Sequence, residues 1–531
     1  MLEINLKLLD TIINDNKNTE YGKKYNFSEI KTIDDYKKNV PLTKYDDYEP
    51  YINRMFDGEN NILTAYPIIG YLYTSGSENF IQKKIPLTIK PLENLGIKPF
   101  FVRNKIMSKY KTDHHDYSVL HINNHYIDIN KEPPKKFILS EIAYYYVYKN
   151  KIEDFNKYLG GPDLMFDFDT VDILYEKIWI SILVDHIEII EAAYMYSVLQ
   201  FFIEFEKSYK DIISDIRKRI INPKKKLSEK AKKYLLDLPV SEERLQYVEK
   251  ECQKGFDNIA SRLWKNLHII IGIRSRAFLY ENKTLDKYSK DIDKSSFLYA
   301  SSESFIGFPI DVNNFNYLID PTYCFYEFIP YNEENQNNSN TEKTLLINEV
   351  ENDKLYELVI TTLSGFYRYK MGDIIKITKN NQNEVLFEFF CRKNLLVNIR
   401  QEKTTIIQIE KVMKKMDEII PNILGFLIGA TIYNNIANYF LFLCLDNTKI
   451  NISINELEKK MESFLSEVNS LYKYCREYGI LGQAKIIIKN KEEFKEIQSF
   501  ITKIKSHNKQ KYKIPETALK EILKKEGYII N

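Results

Sequence analysis

Four short stretches carry residue types that can do chemistry together. The first, Thr74-Ser-Gly-Ser-Glu-Asn-Phe-Ile-Gln-Lys83, sets hydroxyls and backbone N–H groups around a glycine after an apolar run. Such a loop can wrap phosphate oxygens, with the lysine adding a mobile cation; an ordinary Ser/Gly turn is the alternative. The second, Tyr299-Ala-Ser-Ser-Glu303, closes a short apolar run. A carboxylate at the C-terminal edge of an α/β sheet can hold Mg²⁺ beside a nucleotide, or be a plain polar strand end. The third, Ser364-Gly-Phe-Tyr-Arg-Tyr-Lys-Met-Gly-Asp373, ends an aromatic and basic alternation on Gly-Asp. That aspartate can accept from two vicinal ribose hydroxyls, and it can equally close a β-turn. The fourth, Gln510-Lys-Tyr-Lys-Ile-Pro515, offers lysines where a solvated tail is the plain alternative.

Strand-like and helix-like segments must position these residues. Tyr66–Tyr73 reads as a strand feeding the first loop, and the chain turns helical from Pro91. Apolar residues at mixed three and four spacing predict long buried helices from Ile180 to Ile220. Leu267–Gly272 and Ser296–Ala300 have the length of buried strands. From Tyr323 to Phe390 the pattern is β-rich, with runs at Cys324–Pro330, Lys343–Val350, Leu355–Thr362, Asp373–Thr378 and Glu384–Phe390. The polar stretch Asn332–Thr341 suits an exposed hairpin loop. Beyond Arg392 helices at Gln408–Met416, Ile454–Val468 and Lys491–Ile504 alternate with strands at Gly425–Ile432, Tyr439–Leu445 and Ala484–Ile488. The expected class is therefore α/β.

The 531 residues hold 76 Lys+Arg against 74 Asp+Glu, so no global field draws the chain to nucleic acid or to an anionic membrane. Arg217–Lys233 gathers nine Lys/Arg around Pro223 and reads as a solvated helix end, with a phosphate or partner dock as the rival. Five cysteines without a CxxC pair fit reduced thiols better than a disulfide framework. Met1–Ile13 is amphipathic, not signal-like, and Trp179–Phe205 is broken by four acids and reads as a core helix. A soluble, cytoplasmic protein is expected. His121 and His125 have the i,i+4 spacing of a metal pair, but their neighbours are strand-like; a surface or substrate-pocket insertion at His114–His125 is preferred.

In this order and at these gaps, the four stretches resemble the acyl-acid amido synthetases related to the plant auxin- and jasmonate-conjugating enzymes. That family is a branch of the adenylate-forming superfamily that includes firefly luciferase and acyl-CoA ligases. Thr19–Phe27, Val40–Tyr45, Tyr326-Glu-Phe-Ile-Pro330, Tyr356–Thr362, Arg392-Lys393, Lys403-Thr404 and Tyr512-Lys-Ile-Pro515 extend the resemblance over nearly the whole chain. It implies a large N-terminal adenylate-forming domain (1–391), with sheets packed by helices plus a β-rich subdomain, and a small mobile C-terminal α/β domain (392–531).

By the same resemblance Thr74, Ser75, Ser77 and Lys83 grip the phosphates of ATP, and Glu303 is the Mg²⁺ ligand. Ser301 and Ser302 lie near the phosphoryl centre, and Asp373 binds ribose. Arg392 falls at the hinge, and Lys403 and Lys513 approach the phosphates. The implied reaction is adenylation of a carboxylic acid, then transfer of the acyl group to an amine, with an amino acid as the expected acceptor. A monomer is implied, because the small domain must swing. Two alternatives stay open: an acyl-CoA ligase, and a silent nucleotide- or metabolite-binding homologue. The second is prompted by departures from the family pattern at Phe80, Thr405-Ile406 and Glu516.

Overall fold

The amphipathic spacing at the start of the chain forms α1 (Leu2–Asn16), which buries Leu9, Ile12 and Ile13 on one face. That face also carries Asn5, whose amide donates to Cys324 O at 2.8 Å and accepts from Tyr326 N at 3.0 Å. A polar residue in a buried stripe thus stitches the helix to a strand more than three hundred residues away. The computed structural model describes residues 1–73, 83–88, 101–110, 117–122, 157–161, 164, 167, 169–274, 279–331, 343–381, 383–392, 396–397, 399, 402, 404–421, 423–445, 448, 450–504 and 513–528. They fall into two units. The first comprises Met1–Tyr73, Lys84–Met371 and Ile375–Phe389; the second comprises Lys83, Gly372–Ile374 and Phe390–Asn531.

In the first unit α2 (Glu20–Lys24), α3 (Ile33–Asn39) and α4 (Tyr45–Phe56) follow α1. Thr32 caps α3 with a full capping box to Asp35. β1 (Ile68–Tyr73) pairs antiparallel with β2 (Lys84–Thr88). A parallel sheet then runs in chain order through β3 (Val119–His121), β4 (Ile189–Tyr194), β5 (Ile269–Ile273) and β6 (Asp293–Ser295). Leu120, Ile190 and Ile270 share one apolar cluster with the helices Ile173–Leu183 and Met195–Lys218. Val119, Ile189, Ile269 and Ile271 share another with Val102, Ile106 and Met107. Coverage on both faces is what a parallel sheet requires.

A second sheet follows, formed by β7 (Tyr299–Ala300), β8 (Phe305–Pro309), β9 (Tyr317–Ile319), β10 (Cys324–Pro330), β11 (Leu355–Thr362), β12 (Tyr369–Asn380) and β13 (Val385–Arg392). Its strand order is β10-β11-β12-β13-β9-β8-β7. Its buried side chains join those of α1 to α4 in one core.

The second unit contains β14 (Leu396–Val397) and β15 (Thr404–Thr405), then the sheet β16 (Ile423–Tyr433), β17 (Ile436–Leu445) and β18 (Lys485–Lys489). β16 and β17 form a hairpin over Asn434-Asn435, both at positive φ, the two-residue turn that asparagine tolerates. The helices Ile406–Ile419, Ile454–Val468, Ser470–Glu477, Lys491–Ile504 and Glu516–Lys525 complete the described elements of this unit. The chain is thus an α/β protein with a larger N-terminal part and a smaller C-terminal part.

Two sequence expectations need correction. Trp179–Phe205 is not one core helix: it holds the end of a helix, strand β4 and the start of the next helix. Both faces of β4 are covered, so its apolar run carried no strand periodicity. Lys343–Val350 is not a strand. It forms a single bridge at Leu345, and the Glu349 carboxylate accepting from Leu346 N at 2.6 Å closes a turn. Of Gln510–Pro515, only Lys513–Pro515 lie within the described residues; they lead into the helix Glu516–Lys525. The predicted loop at Asn332–Thr341 lies outside the described residues.

Candidate active site

Strand β7 ends in a short turn built by Ser301. Its Oγ accepts from Glu303 N at 3.2 Å and Ser304 N at 3.3 Å, and its own N–H donates to Ser304 O. This serine turn fixes the backbone at Glu303; Ser302 lies between the two. Glu303 is 7% exposed, and its Oε1 accepts from Tyr369 Oη at 3.1 Å. Among the described residues no partner engages Oε2.

Tyr369 opens β12, and the residues before it explain why it is placed so firmly. Gly365 sits at φ 99°, and a Cβ there would come within 2.6 Å of Leu63 Cβ, so only glycine fits. Arg368 adopts φ 46°, a left-handed conformation rare for its type. Its side chain turns inward and meets Glu327, the glutamate of strand β10, with Nε to Oε2 at 3.0 Å and Nη2 to Oε1 at 3.0 Å. Nη1 donates to Lys37 O and Val40 O at the end of α3, and Nη2 also to Thr344 Oγ1. All five N–H groups are used. Tyr48 Oη donates to Tyr367 O at 2.7 Å and accepts from Tyr367 N at 2.8 Å. Burial pushes the Tyr48 phenol up to about 12, so it stays neutral and can donate.

In the second unit Asp373 follows Gly372, which is at φ 74°, and its Oδ1 lies 3.2 Å from Arg392 Nε. The predicted ribose and hinge residues are therefore brought together. Lys83 and Lys513 belong to the same unit. Lys513 bridges Ile428 of β16, and Ile514 N donates to Ile428 O at 2.7 Å. Gly429 makes that approach possible, since a Cβ there would meet Leu519 Cδ2 at 2.9 Å and Ile514 O at 3.2 Å. Thr74, Ser75, Ser77, Phe80 and Lys403 lie outside the described residues, as do His114, His115 and His125.

Two departures from the family pattern have local causes. Thr405 caps the helix Ile406–Ile419 in a box with Gln408. Glu516 starts the last helix, where an acid suits the dipole; it accepts from Thr431 and pairs with Lys520. His121 is no surface residue: it is 5% exposed and its Nδ1 lies 2.8 Å from Glu191 Oε1. Arg217 pairs with Glu242 and Glu249 while Arg219 donates to Leu236 O and Leu238 O, so these two cations of the basic stretch serve the fold. Sequence reasoning missed Tyr369 and the Arg368–Glu327 pair as site residues. The signal was an arginine set between two tyrosines in a strand-like run.

Comparisons with known proteins match this arrangement over its length. The GH3 family N-terminal domain matches residues 1–294, the GH3 family central domain 317–392 and the GH3 family C-terminal domain 407–521. Indole-3-acetic acid-amido synthetase GH3.2 of Arabidopsis thaliana is 24% identical over 503 residues, covering 88% of this chain and 89% of that protein. A probable indole-3-acetic acid-amido synthetase GH3.11 of Oryza sativa subsp. japonica is 26% identical over 519 residues, covering 90% and 85%. Among solved structures, AtGH3.15 acyl acid amido synthetase in complex with 2,4-DB superposes with TM-score 0.83 at 21% identity, covering 100% of this chain and 94% of that one. A 2-hydroxyisobutyryl-CoA ligase shares the fold at TM-score 0.53 and 9% identity, covering 98% and 91%. Three domain models met in N-terminal, central and C-terminal order place this chain in the GH3 family.

Proposed function

We propose that this protein is an ATP-dependent acyl-acid amido synthetase. A carboxylate oxygen of the acid attacks the α-phosphorus of ATP, the bond to the β-phosphate oxygen breaks, and pyrophosphate leaves. The resulting acyl-AMP is attacked at its carbonyl by an amine, an amino acid in this reading; the amine loses a proton and AMP departs, leaving an amide. The observation that carries the proposal is the family's three domains in order, joined to a buried Glu303 held by Tyr369 with one oxygen ungripped among the described residues.

The residues fit a magnesium ion. Among the described residues no three His, Cys, Asp or Glu side chains converge, so an all-protein cage is absent there. A single carboxylate with the rest of the shell left to phosphates and water is the usual Mg²⁺ arrangement. In this reading Glu303 holds the ion, which supplies charge neutralisation at the phosphates. Thr74, Ser75, Ser77 and Lys83 grip the phosphates, and Ser301 and Ser302 line the phosphoryl centre. Asp373 takes the ribose hydroxyls, and its pairing with Arg392 supports a coupling of ribose contact to the hinge. Lys403 and Lys513 neutralise the like-charge repulsion between attacking carboxylate and phosphate. The proposed domains are 1–391 and 392–531, the smaller swinging between the two half-reactions so that the anhydride meets the amine and not water.

We read the enzyme as cytoplasmic and monomeric. Cys252, Cys324, Cys444 and Cys475 are buried thiols outside any disulfide, which suits a reducing compartment. No described helix is long and apolar enough to cross a membrane. Size-exclusion chromatography with light scattering tests the monomer.

ATP–pyrophosphate exchange across aromatic, aliphatic and fatty acids tests the first step, with acid-dependent exchange expected. Mass spectrometry of the same acid with amino acids or with CoA then identifies the acceptor. An amide is expected; a thioester as sole product overturns the proposal in favour of a CoA ligase.

A further inference from the structure

We propose that Tyr369 is a positioning residue for Glu303, anchored there by the buried Arg368–Glu327 ion pair; this rests on the reading of Glu303 as the Mg²⁺ ligand. The terminal torsion of a glutamate is soft, so a carboxylate at the end of a short serine turn would otherwise rotate freely. The Tyr369 Oη to Oε1 hydrogen bond of 3.1 Å removes that freedom. It engages one oxygen and would leave the other for a bound metal, as hydrogen bonds beyond the ligand shell orient ligating carboxylates.

A tyrosine can orient a carboxylate only if it is itself fixed. Tyr369 is 3% exposed, and its ring packs on Phe366 at 4.8 Å between centroids. The peptides on both sides of it are pinned by Thr43, whose N–H donates to Arg368 O at 3.0 Å and whose O accepts from Lys370 N at 2.9 Å. Arg368 N donates to Thr361 Oγ1 at 3.0 Å. The left-handed conformation of Arg368 persists because five side-chain donors are satisfied only when the guanidinium reaches Glu327 and the end of α3. This conformation turns the arginine inward while the next residue meets Glu303. The ion pair thus acts on Glu303 only through Tyr369, the residue next to Arg368.

The test is a Mn²⁺ titration, followed by electron paramagnetic resonance, of the full chain saturated with α,β-methylene-ATP. Tyr369→Phe should weaken Mn²⁺ by roughly 10-fold while the thermal midpoint stays at the parent's value. Glu303→Gln should weaken it at least as much, and adding Tyr369→Phe to Glu303→Gln should change nothing further. Parent-like Mn²⁺ affinity in Tyr369→Phe, with Glu303→Gln impaired, overturns the positioning role and leaves the metal reading intact. An undiminished Tyr369→Phe effect in the Glu303→Gln background also overturns it. Parent-like affinity in Glu303→Gln instead removes the reading beneath it. Glu327→Gln, which keeps the shape but discharges the anchor, should lower Mn²⁺ affinity in the same direction; a folded Glu327→Gln with parent affinity overturns the anchor.

Discussion

Two buried arginine–glutamate clusters occupy the first unit, and they are built on opposite principles. Arg368 and Glu327 form a two-pronged pair in which every guanidinium donor is used. Arg103 and Glu191 lie at 3.4 Å, with Glu191 shared by His121 and Arg103 drawn also to Tyr117 and Tyr158. The first ties α3 to the antiparallel sheet and admits no group that titrates near neutrality. The second joins His121, the last residue of β3, to Glu191 beside it in mid-β4, and so includes a histidine. One cluster is a fully bonded clamp; the other is a looser node that shares its glutamate between an arginine and a histidine.

The largest expected effect is on the clamp. Arg368→Ala strands a buried carboxylate and should destabilise by about 3–5 kcal/mol, read from urea unfolding midpoints. Replacing Arg368 and Glu327 together by Met and Leu should recover most of that loss, because two apolar groups leave no orphaned charge. A double variant no better than the single would mean that the backbone anchoring, not the charge pair, dominates.

Glu191→Gln should cost less, about 2–3 kcal/mol, since Tyr117 and Tyr158 still serve Arg103. Equal costs at both clusters would erase the distinction drawn here. A pH series sharpens it. Burial pushes the Glu191 carboxyl up, but His121, Arg103 and Tyr158 together hold it below the usual carboxylate range. A depressed folded-state pKa gives stability that is fully present above the unfolded value of about 4.3 and lost as pH falls through the folded value. Unfolding midpoints of the parent should therefore drop below about pH 4 more steeply than those of Glu191→Gln.

The smallest stability effect belongs to Tyr369→Phe, under about 1 kcal/mol, although its effect on the metal should be large. That contrast separates residues that hold the fold from residues that aim the site.

Legibility in the sequence followed the same division. Cys324–Pro330 and Leu355–Thr362 were readable to the residue as short β-branched and aromatic runs, and Ile454–Val468 and Lys491–Ile504 by their helical periodicity. β4 was not: Ile189–Tyr194 passes straight into a helix at Met195 with no glycine or proline between them. The expectations at Glu303 and Asp373 came from family resemblance alone, since Ser-Ser-Glu and Gly-Asp are by themselves ordinary turns. The roles of Arg368 and Tyr369 were invisible, because no local pattern says that an arginine at φ 46° points inward to a glutamate forty-one residues earlier.

The central claim, that this protein adenylates an acyl acid with Glu303 in the machinery, meets its most direct test in acid-dependent ATP–pyrophosphate exchange by the parent and Glu303→Ala. The account predicts exchange with at least one acid in the parent, and its loss by at least about 100-fold in a variant with an unchanged thermal midpoint. Exchange retained in Glu303→Ala, or a parent that binds ATP yet exchanges with no acid, would contradict it.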